Sequence, residues 1–286
     1  MKKKNRHILL LLLGTSPLFA EEDLGDFLMQ HVADHRDSWH LLPGLSVPIN
    51  GSFKIAGIEL YPSLHVWMMF IAAALLLVLM SIASRRTMSR QLPKNRWGHI
   101  VEAVVLFLRD DIVVPNLGKR GGRKWMPFFL TLFFFILTLN LLGLVPGFST
   151  ATSNPNFTFA MAAVVFIVFN VAGMVHNGPI TYFTNLIPKG VPLPVLLILV
   201  PIELVGLFTK AIALAIRLFA NMTAGHIIVA SLLAIAFVLK MLWVQPLFIL
   251  FALAIDILEL FIAFLQAYVF TMLSALFIGG AVHQEH

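Results

Sequence analysis

The sequence predicts an all-α polytopic membrane protein with about five membrane helices, of which the last two are long. Hydrophobic residues occupy 59% of the 286 positions and charged residues only 12%, with a mean hydropathy of +0.90. A water-soluble globular chain of this length does not have such a composition. The apolar residues fall in separate long segments, and the cations between those segments are clustered.

The composition also excludes several classes of function. Cysteine is absent, which excludes disulfides, thiolate metal sites and thiol catalysis. The balance of 20 Lys and Arg against 14 Asp and Glu could indicate a nucleic-acid partner, but ten of these cations lie between Arg85 and Lys124. The positive-inside rule explains such a cluster without nucleic acid. We therefore expect no nucleic-acid partner, no metal and no cofactor.

Residues 1–20 are typical of a secretory signal peptide. Four cations precede the apolar run Ile8–Leu13, which is too short to cross a bilayer, and Ala20 ends the segment. Leu18 departs from the small-residue rule for cleavage sites. With or without cleavage, we expect the acidic segment that follows to be exported.

Residues 21–63 are polar and contain turn signals such as Pro43-Gly44, which predict a short external segment. Within it, His31, Asp34 and His35 have a spacing that could hold a metal. One His pair with one acid is a weak signal, and a solvated N-terminal helix is the simpler interpretation.

Residues 64–286 form the predicted membrane domain. Its first three spans are expected at Leu64–Ile82, from Trp125 to Gly147, and at Phe157–Val175. A basic loop, residues 85–124, joins the first two spans and contains an amphipathic stretch, Trp97–Val114, that is expected on the cytoplasmic surface. This orientation places the N-terminus outside and the C-terminus in the cytoplasm.

The last two apolar segments form a predicted antiparallel ion-pathway hairpin, residues 194–282. The first of them, Val195–Leu239, would be about 68 Å long as a helix, more than twice the roughly 30 Å hydrocarbon thickness. Because no proline breaks it after Pro201, we expect one steeply tilted helix. The second segment is Pro246–Ile278.

Arg217 lies inside the first of these segments, with no acid three or four positions away. A guanidinium stays charged at any working pH, so it needs an anion or water within the bilayer. Glu203 is about 21 Å away along the same helix and cannot touch it. We therefore expect the partner of Arg217 elsewhere, in an ion pathway or on a mobile carboxylate.

Folding the two segments into a hairpin pairs residues of equal depth. Arg217 is then expected to face Gln266, and His226 to face Glu259, with Asp256 one turn nearer the tip of the hairpin. The His226 group would lie about 13 Å from Arg217 towards the external side. A fixed cation between this group and Glu203 would block a direct proton leak and attract a deprotonated carboxylate on a passing helix.

Small residues surround Arg217 at three- and four-residue spacing, among them Gly206, Ala213 and Ala224. Such a stripe lets another helix approach closely, and packing within the chain explains it as well as a partner does. Asn221 and Gln266 can be explained as residues that hydrogen-bond between helices. That explanation does not extend to the unpaired arginine.

The segment Arg217–His226, Arg-Leu-Phe-Ala-Asn-Met-Thr-Ala-Gly-His, closely resembles the signature of subunit a of the bacterial F-type ATP synthase. The element Asn140–Gly147, Glu203 and Gln266 match further positions of that family. Some bacterial members carry Glu at the position of His226 and His at the position of Glu259, so the pair is exchanged between the two helices.

The resemblance implies a stator subunit of the rotary membrane sector, without a catalytic site of its own. It would provide two proton half-channels and the arginine that faces the carboxylate of the c-subunit ring. The implied partners are the c ring, the b subunits of the peripheral stalk and membrane lipid, in the bacterial plasma (inner) membrane. The implied proton-translocating residues are Arg217, Glu203, His226, Glu259, Gln266, Asn221 and Asp256.

A stand-alone secondary transporter or ion channel is the alternative interpretation. Its own helices would supply the counter-ion of Arg217, and the purified chain alone would conduct ions. A purely structural membrane subunit is a third interpretation, in which the charges within the membrane would have no role.

Overall fold

The computed structural model describes residues 38–42, 45–48, 53–55, 58–60, 63–87, 96–145, 148–184, 192–239 and 243–283. The predicted signal peptide, residues 1–20, and the candidate metal ligands His31, Asp34 and His35 lie outside these ranges.

Two short β-hairpins precede the first membrane helix. Strand β1 (Ser38–Leu42) pairs antiparallel with β2 (Leu45–Pro48), and β3 (Phe53–Ile55) pairs antiparallel with β4 (Ile58–Leu60). The turn signal Pro43-Gly44 falls between β1 and β2. The sequence predicts turns in this segment but not the strands beside them, because short strands lack a long periodic pattern.

The rest of the described chain is helical. The helices are α1 (Leu64–Thr87), α2 (Arg96–Phe107), a π-helical turn (Leu108–Val113), α3 (Val114–Gly143), a 3₁₀ turn (Ala151–Ser153), α4 (Pro155–Asn177), α5 (Pro179–Thr184), α6 (Leu193–Leu239) and α7 (Gln245–Val282). Five stretches of the described residues are long and apolar enough to cross a membrane, as the sequence predicts. The last two, within α6 and α7, are long, which confirms that part of the fold class.

Helix α3 begins at Val114, whereas the sequence predicted a span that starts near Trp125. Four cations lie just before Trp125, and such a basic segment is typical of a loop between membrane spans. Lysine and arginine are also good helix formers, so the helix can begin before the apolar span. The helix changes direction at Gly118, whose φ of 69° and ψ of 171° are not helical. Glycine adopts this conformation without the steric cost that a side chain would add.

Helix α4 begins close to its predicted position because its first turn is capped. The side chain of Asn154 accepts a hydrogen bond from the backbone N–H of Asn156 at 2.9 Å, and Pro155 occupies the first turn. Gly178, with φ of 84°, follows the last residue of α4. The short helix α5 then folds back, and its Tyr182 is buried in the core.

Helices α3, α4 and α7 supply most of the principal buried cluster. The Tyr182 hydroxyl donates to Asn170 Oδ1 at 3.1 Å, and burial raises the pKa of Tyr182. A side chain at Gly173 would overlap the Tyr182 ring, so this glycine allows α5 to lie close to α4. Between α3 and α7, the Asn140 amide contacts the Ala263 carbonyl at 3.4 Å.

Helix α6 has 47 residues and includes Pro201. It continues unbroken after Pro201, as predicted from the sequence. Only 6% of the apolar window that marks the α6 span is buried inside the structure. The corresponding share for the span Gly98–Gly143 is 44%. Helix α6 therefore leaves most of its surface for lipid or for another protein.

Candidate functional site

An imidazole and a carboxylate lie together between α6 and α7. His226 Nδ1 is 3.8 Å from Glu259 Oε2. The Glu259 side chain is buried and 4% exposed, and His226 is half-buried. The structure thus brings together two residues that the equal-depth argument pairs from sequence. Glu259 Oε1 has no hydrogen-bond partner among the described residues.

Gly225, the neighbour of His226 on α6, leaves room for the Glu259 carboxylate. A β-carbon at Gly225 would overlap Glu259 Oε1. This glycine is not among the site residues predicted from the sequence. Its position next to His226 was the available signal, because a glycine inside an apolar helix often marks a close approach of another group.

Thr150 also contacts the site, although it is not among the site residues predicted from the sequence. Its Oγ1 lies 2.6 Å from His226 Nε2 and 3.3 Å from the carbonyl oxygen of Gly143 at the end of α3. Thr150 precedes the 3₁₀ turn between α3 and α4, and it is 5% exposed. It follows Ser149, whose Oγ lies 3.0 Å from Nε2 of the buried His65 at the start of α1.

A second polar contact between α6 and α7 joins Asn221 and Gln266. Asn221 Nδ2 donates to Gln266 Oε1 at 2.9 Å. Gln266 is 1% exposed, and its Nε2 has no hydrogen-bond partner among the described residues. The residue that bonds Gln266 is thus Asn221, and the expected position of Arg217 opposite Gln266 stays a prediction. Asn221 follows Arg217 by four positions on the same side of α6, and it is the residue that reaches the buried glutamine.

Arg217 is exposed on α6. Within the described ranges it forms no hydrogen bond and no ion pair. A partner for Arg217 outside these ranges therefore stays a prediction. The adjacent Leu218 is fully buried, whereas Arg217 itself is exposed.

The remaining predicted site residues, Glu203 and Asp256, are exposed. Asp256 lies three positions before the buried Glu259 on α7, and Glu203 lies in the N-terminal third of α6. The structure therefore gathers His226 and Glu259 in one contact and Asn221 and Gln266 in another. It does not bring Glu203 to either contact.

Comparison with known proteins identifies the family. A family model described as ATP synthase A chain matches residues 66–279. The chain is 40% identical over 278 residues to the ATP synthase subunit a of Anaeromyxobacter dehalogenans, covering 92% of this chain and 72% of that one. It is 45% identical over 237 residues to that of Chloroherpeton thalassium, covering 82% and 70%. It is 46% identical over 222 residues to that of Myxococcus xanthus, covering 78% and 73%. The chain therefore belongs to the ATP synthase subunit a family.

Proposed function

We propose that this chain is the stator subunit of a rotary ATP synthase membrane sector, in which Arg217 faces the ion-binding carboxylate of a c-subunit ring. As a family member, it is a multi-pass membrane subunit that takes part in proton translocation. The observation that carries the finer proposal is the exposed guanidinium of Arg217, which has no partner among the described residues and lies on a helix that the chain itself barely covers.

Lipid cannot satisfy this cation. A guanidinium cannot lose its proton, and hydrocarbon offers neither an anion nor a hydrogen-bond acceptor. The small residues on the same helix, such as Gly206 and Ala213, would let a partner helix approach closely. A carboxylate on that helix would neutralise Arg217 when deprotonated and would have to release its proton before it passes.

Two groups of polar residues would form the half-channels. We assign His226, Glu259 and Asp256 to the external half-channel, with Asn221 and Gln266 between them and Arg217. Glu203 would belong to the cytoplasmic half-channel. Buried polar atoms without a partner among the described residues, Glu259 Oε1, Gln266 Nε2 and Thr223 Oγ1, support a hydrated external path, because buried polar groups are rarely left unsatisfied.

The proposed assembly is the membrane sector of a bacterial plasma (inner) membrane, with the c ring, the b subunits and lipid as partners. The cations of the predicted loop 85–124 favour a cytoplasmic location for that loop, an external N-terminus and a cytoplasmic C-terminus. In this arrangement residues 1–20 would be the signal peptide, 21–63 the external segment and 194–282 the ion-pathway hairpin.

Substitution of Arg217 tests the proposal. We expect the assembled complex with Arg217→Ala to hydrolyse ATP without pumping protons. Arg217→Lys should also fail to pump, because an ammonium lacks the planar fork of the guanidinium and loses its charge more readily when buried. The matched control is Lys210→Met, which removes another exposed cation from α6 and should pump normally.

The measurement is ATP-driven acidification of sealed membrane vesicles, divided by the amount of assembled complex. Normal pumping by Arg217→Lys would contradict the assignment. Proton flux through the purified chain alone, without a c ring, would instead favour a stand-alone channel or transporter.

A further inference from the structure

The hydroxyl of Thr150 lies between a backbone carbonyl and the imidazole of His226. Its Oγ1 is 3.3 Å from the Gly143 carbonyl oxygen and 2.6 Å from His226 Nε2. Thr150 is 5% exposed, so bulk water has little access to its hydroxyl.

The surrounding structure holds this hydroxyl in place. The backbone carbonyl of Thr150 accepts hydrogen bonds from Ser153 Oγ at 2.7 Å and from Ser153 N–H at 3.0 Å. A β-carbon on Gly143 would overlap the Thr150 side chain, so the end of α3 packs directly against it. The preceding residue, Ser149, contacts His65 on α1 at 3.0 Å.

A threonine hydroxyl carries one proton and can donate only one full hydrogen bond. If it donated to His226 Nε2, its oxygen would meet the Gly143 carbonyl oxygen with no proton between them. Both contacts are satisfied together only when the hydroxyl donates to Gly143 and accepts a hydrogen bond from Nε2–H. The neutral ring of His226 then carries its proton on Nε2 and has a bare Nδ1.

We propose that Thr150 is a positioning residue that fixes His226 as the Nε2–H tautomer, so that Nδ1, the nitrogen facing Glu259, is the one that takes up and releases the translocated proton. This inference rests on the proposed function of His226 and Glu259 in the external half-channel. Nδ1 is already the ring nitrogen nearer Glu259, at 3.8 Å from Oε2.

The proton then passes from His226 to Glu259 in two steps. A proton from the external side binds Nδ1, and neutral His226 becomes an imidazolium with both nitrogens protonated. The Nδ1–H bond breaks as an O–H bond forms on Glu259 Oε2, which leaves a neutral imidazole and a carboxylic acid. The two atoms must first approach by about 1 Å to reach hydrogen-bond distance. Throughout, Nε2–H stays bonded to Thr150.

In the other tautomer, Nδ1 would already carry a proton and could not accept the incoming one. Conversion to the Nε2–H tautomer would require loss of the proton on Nδ1 and gain of a proton on Nε2. Loss of the Thr150 hydroxyl should therefore slow the proton flux without removing either relay group.

The test compares Thr150→Val, which has nearly the same shape but no hydroxyl, with Thr150→Ser, which keeps the hydroxyl. We expect the ATP-driven proton flux per assembled complex to fall about tenfold in Thr150→Val, the effect of losing roughly one buried hydrogen bond. Thr150→Ser should stay within about twofold of the unmodified complex. The matched control is Thr158→Val, because the buried Thr158 hydroxyl donates to the Pro155 carbonyl at 3.0 Å and bonds no site residue among those described.

The tautomer itself is measured by ¹⁵N NMR of the complex with labelled histidine, using His226→Gln to assign the signal. We expect the Nε2–H form in the unmodified complex and in Thr150→Ser, and a mixture of tautomers in Thr150→Val. A predominant Nδ1–H form in the unmodified complex would overturn the proposal, even if Thr150→Val does not assemble.

The flux comparison separates failure of this inference from failure of the proposed function. If His226→Ala pumps normally, the external relay itself is wrong. If His226→Ala loses flux while Thr150→Val pumps like Thr158→Val, only the role of Thr150 is overturned. Equal losses in Thr150→Val and Thr150→Ser would also overturn it, because packing and not the hydroxyl would then matter.

Discussion

Gly225 on α6 lies against the carboxylate of Glu259 on α7. A β-carbon at position 225 would overlap Oε1 and would come within 2.7 Å of Cδ and 2.9 Å of Cγ. All three atoms belong to the outer part of a flexible side chain. An added methyl group would therefore displace the Glu259 carboxylate from its position beside His226 before it would disturb the backbone.

We predict that Gly225→Ala lowers the proton flux per assembled complex by tenfold or more, on the order expected for a misplaced acid–base group. Assembly should be nearly normal. The matched control is Gly280→Ala on α7, because a β-carbon there meets no atom within 4 Å. Both substitutions raise helix propensity by about 1 kcal/mol, so propensity cannot explain a difference between them. Unchanged pumping by Gly225→Ala would mean that the position of the Glu259 carboxylate is unimportant.

Much of this fold follows from hydrophobic segment length. The third span, predicted at Phe157–Val175, corresponds to α4 at Pro155–Asn177, and the unbroken apolar run after Pro201 corresponds to the single helix α6. The start of α3 could not be placed in the same way. Its first turns are basic, and the change of direction at Gly118 depends on a backbone angle that composition does not reveal.

The candidate site was only partly predictable for a related reason. Depth along two helices pairs His226 with Glu259, but depth says nothing about rotation around the helix axis. The hydrogen bond between Gln266 and Asn221 therefore does not follow from depth. Thr150 reaches His226 from a connection 76 residues earlier in the chain, where no helical arithmetic applies.

The second prediction concerns the hydrogen bond between Asn221 and Gln266. Asn221→Ala should lower the free energy of unfolding by about 1–3 kcal/mol, because it leaves the buried Gln266 acceptor unpaired. The double variant Asn221→Ala with Gln266→Leu should lose less than the sum of the two single changes, by about 1 kcal/mol. Denaturant unfolding of the purified chain in detergent measures all four proteins. Strict additivity would mean that the bond contributes no coupling energy.

The third prediction concerns access from the two sides of the membrane, and the absence of native cysteine makes it direct. Ala230→Cys, one turn beyond His226, should react with a membrane-impermeant thiol reagent from the external side. Gly206→Cys, one turn beyond Glu203, should react from the cytoplasmic side. Val171→Cys on the exposed face of α4 serves as a lipid-facing control that should react from neither side. Labelling of Ala230→Cys and Gly206→Cys from the same side would exclude two separate half-channels.

The last prediction concerns His226 and Glu259 as an exchangeable couple. His226→Ala and Glu259→Ala should each lower the proton flux by about a hundredfold, the lower end of the contribution of a positioned acid–base group. Each change removes one of two groups that lie 3.8 Å apart.

The double exchange His226→Glu with Glu259→His should recover much of that loss. It restores one carboxyl and one imidazole in the same contact, and the family resemblance implies that this order occurs in other members. The surroundings can accommodate the exchange. A carboxylic acid at position 226 can donate to the Thr150 hydroxyl, which still donates to Gly143, and the missing side chain at Gly225 leaves space beside an imidazole at position 259. A pair with only a structural role could also keep the complex stable after the exchange. The measurement must therefore be the proton flux per assembled complex. If the exchanged complex assembles but pumps no better than the worse single variant, the two residues do not form one relay, and the proposed site would reduce to Arg217.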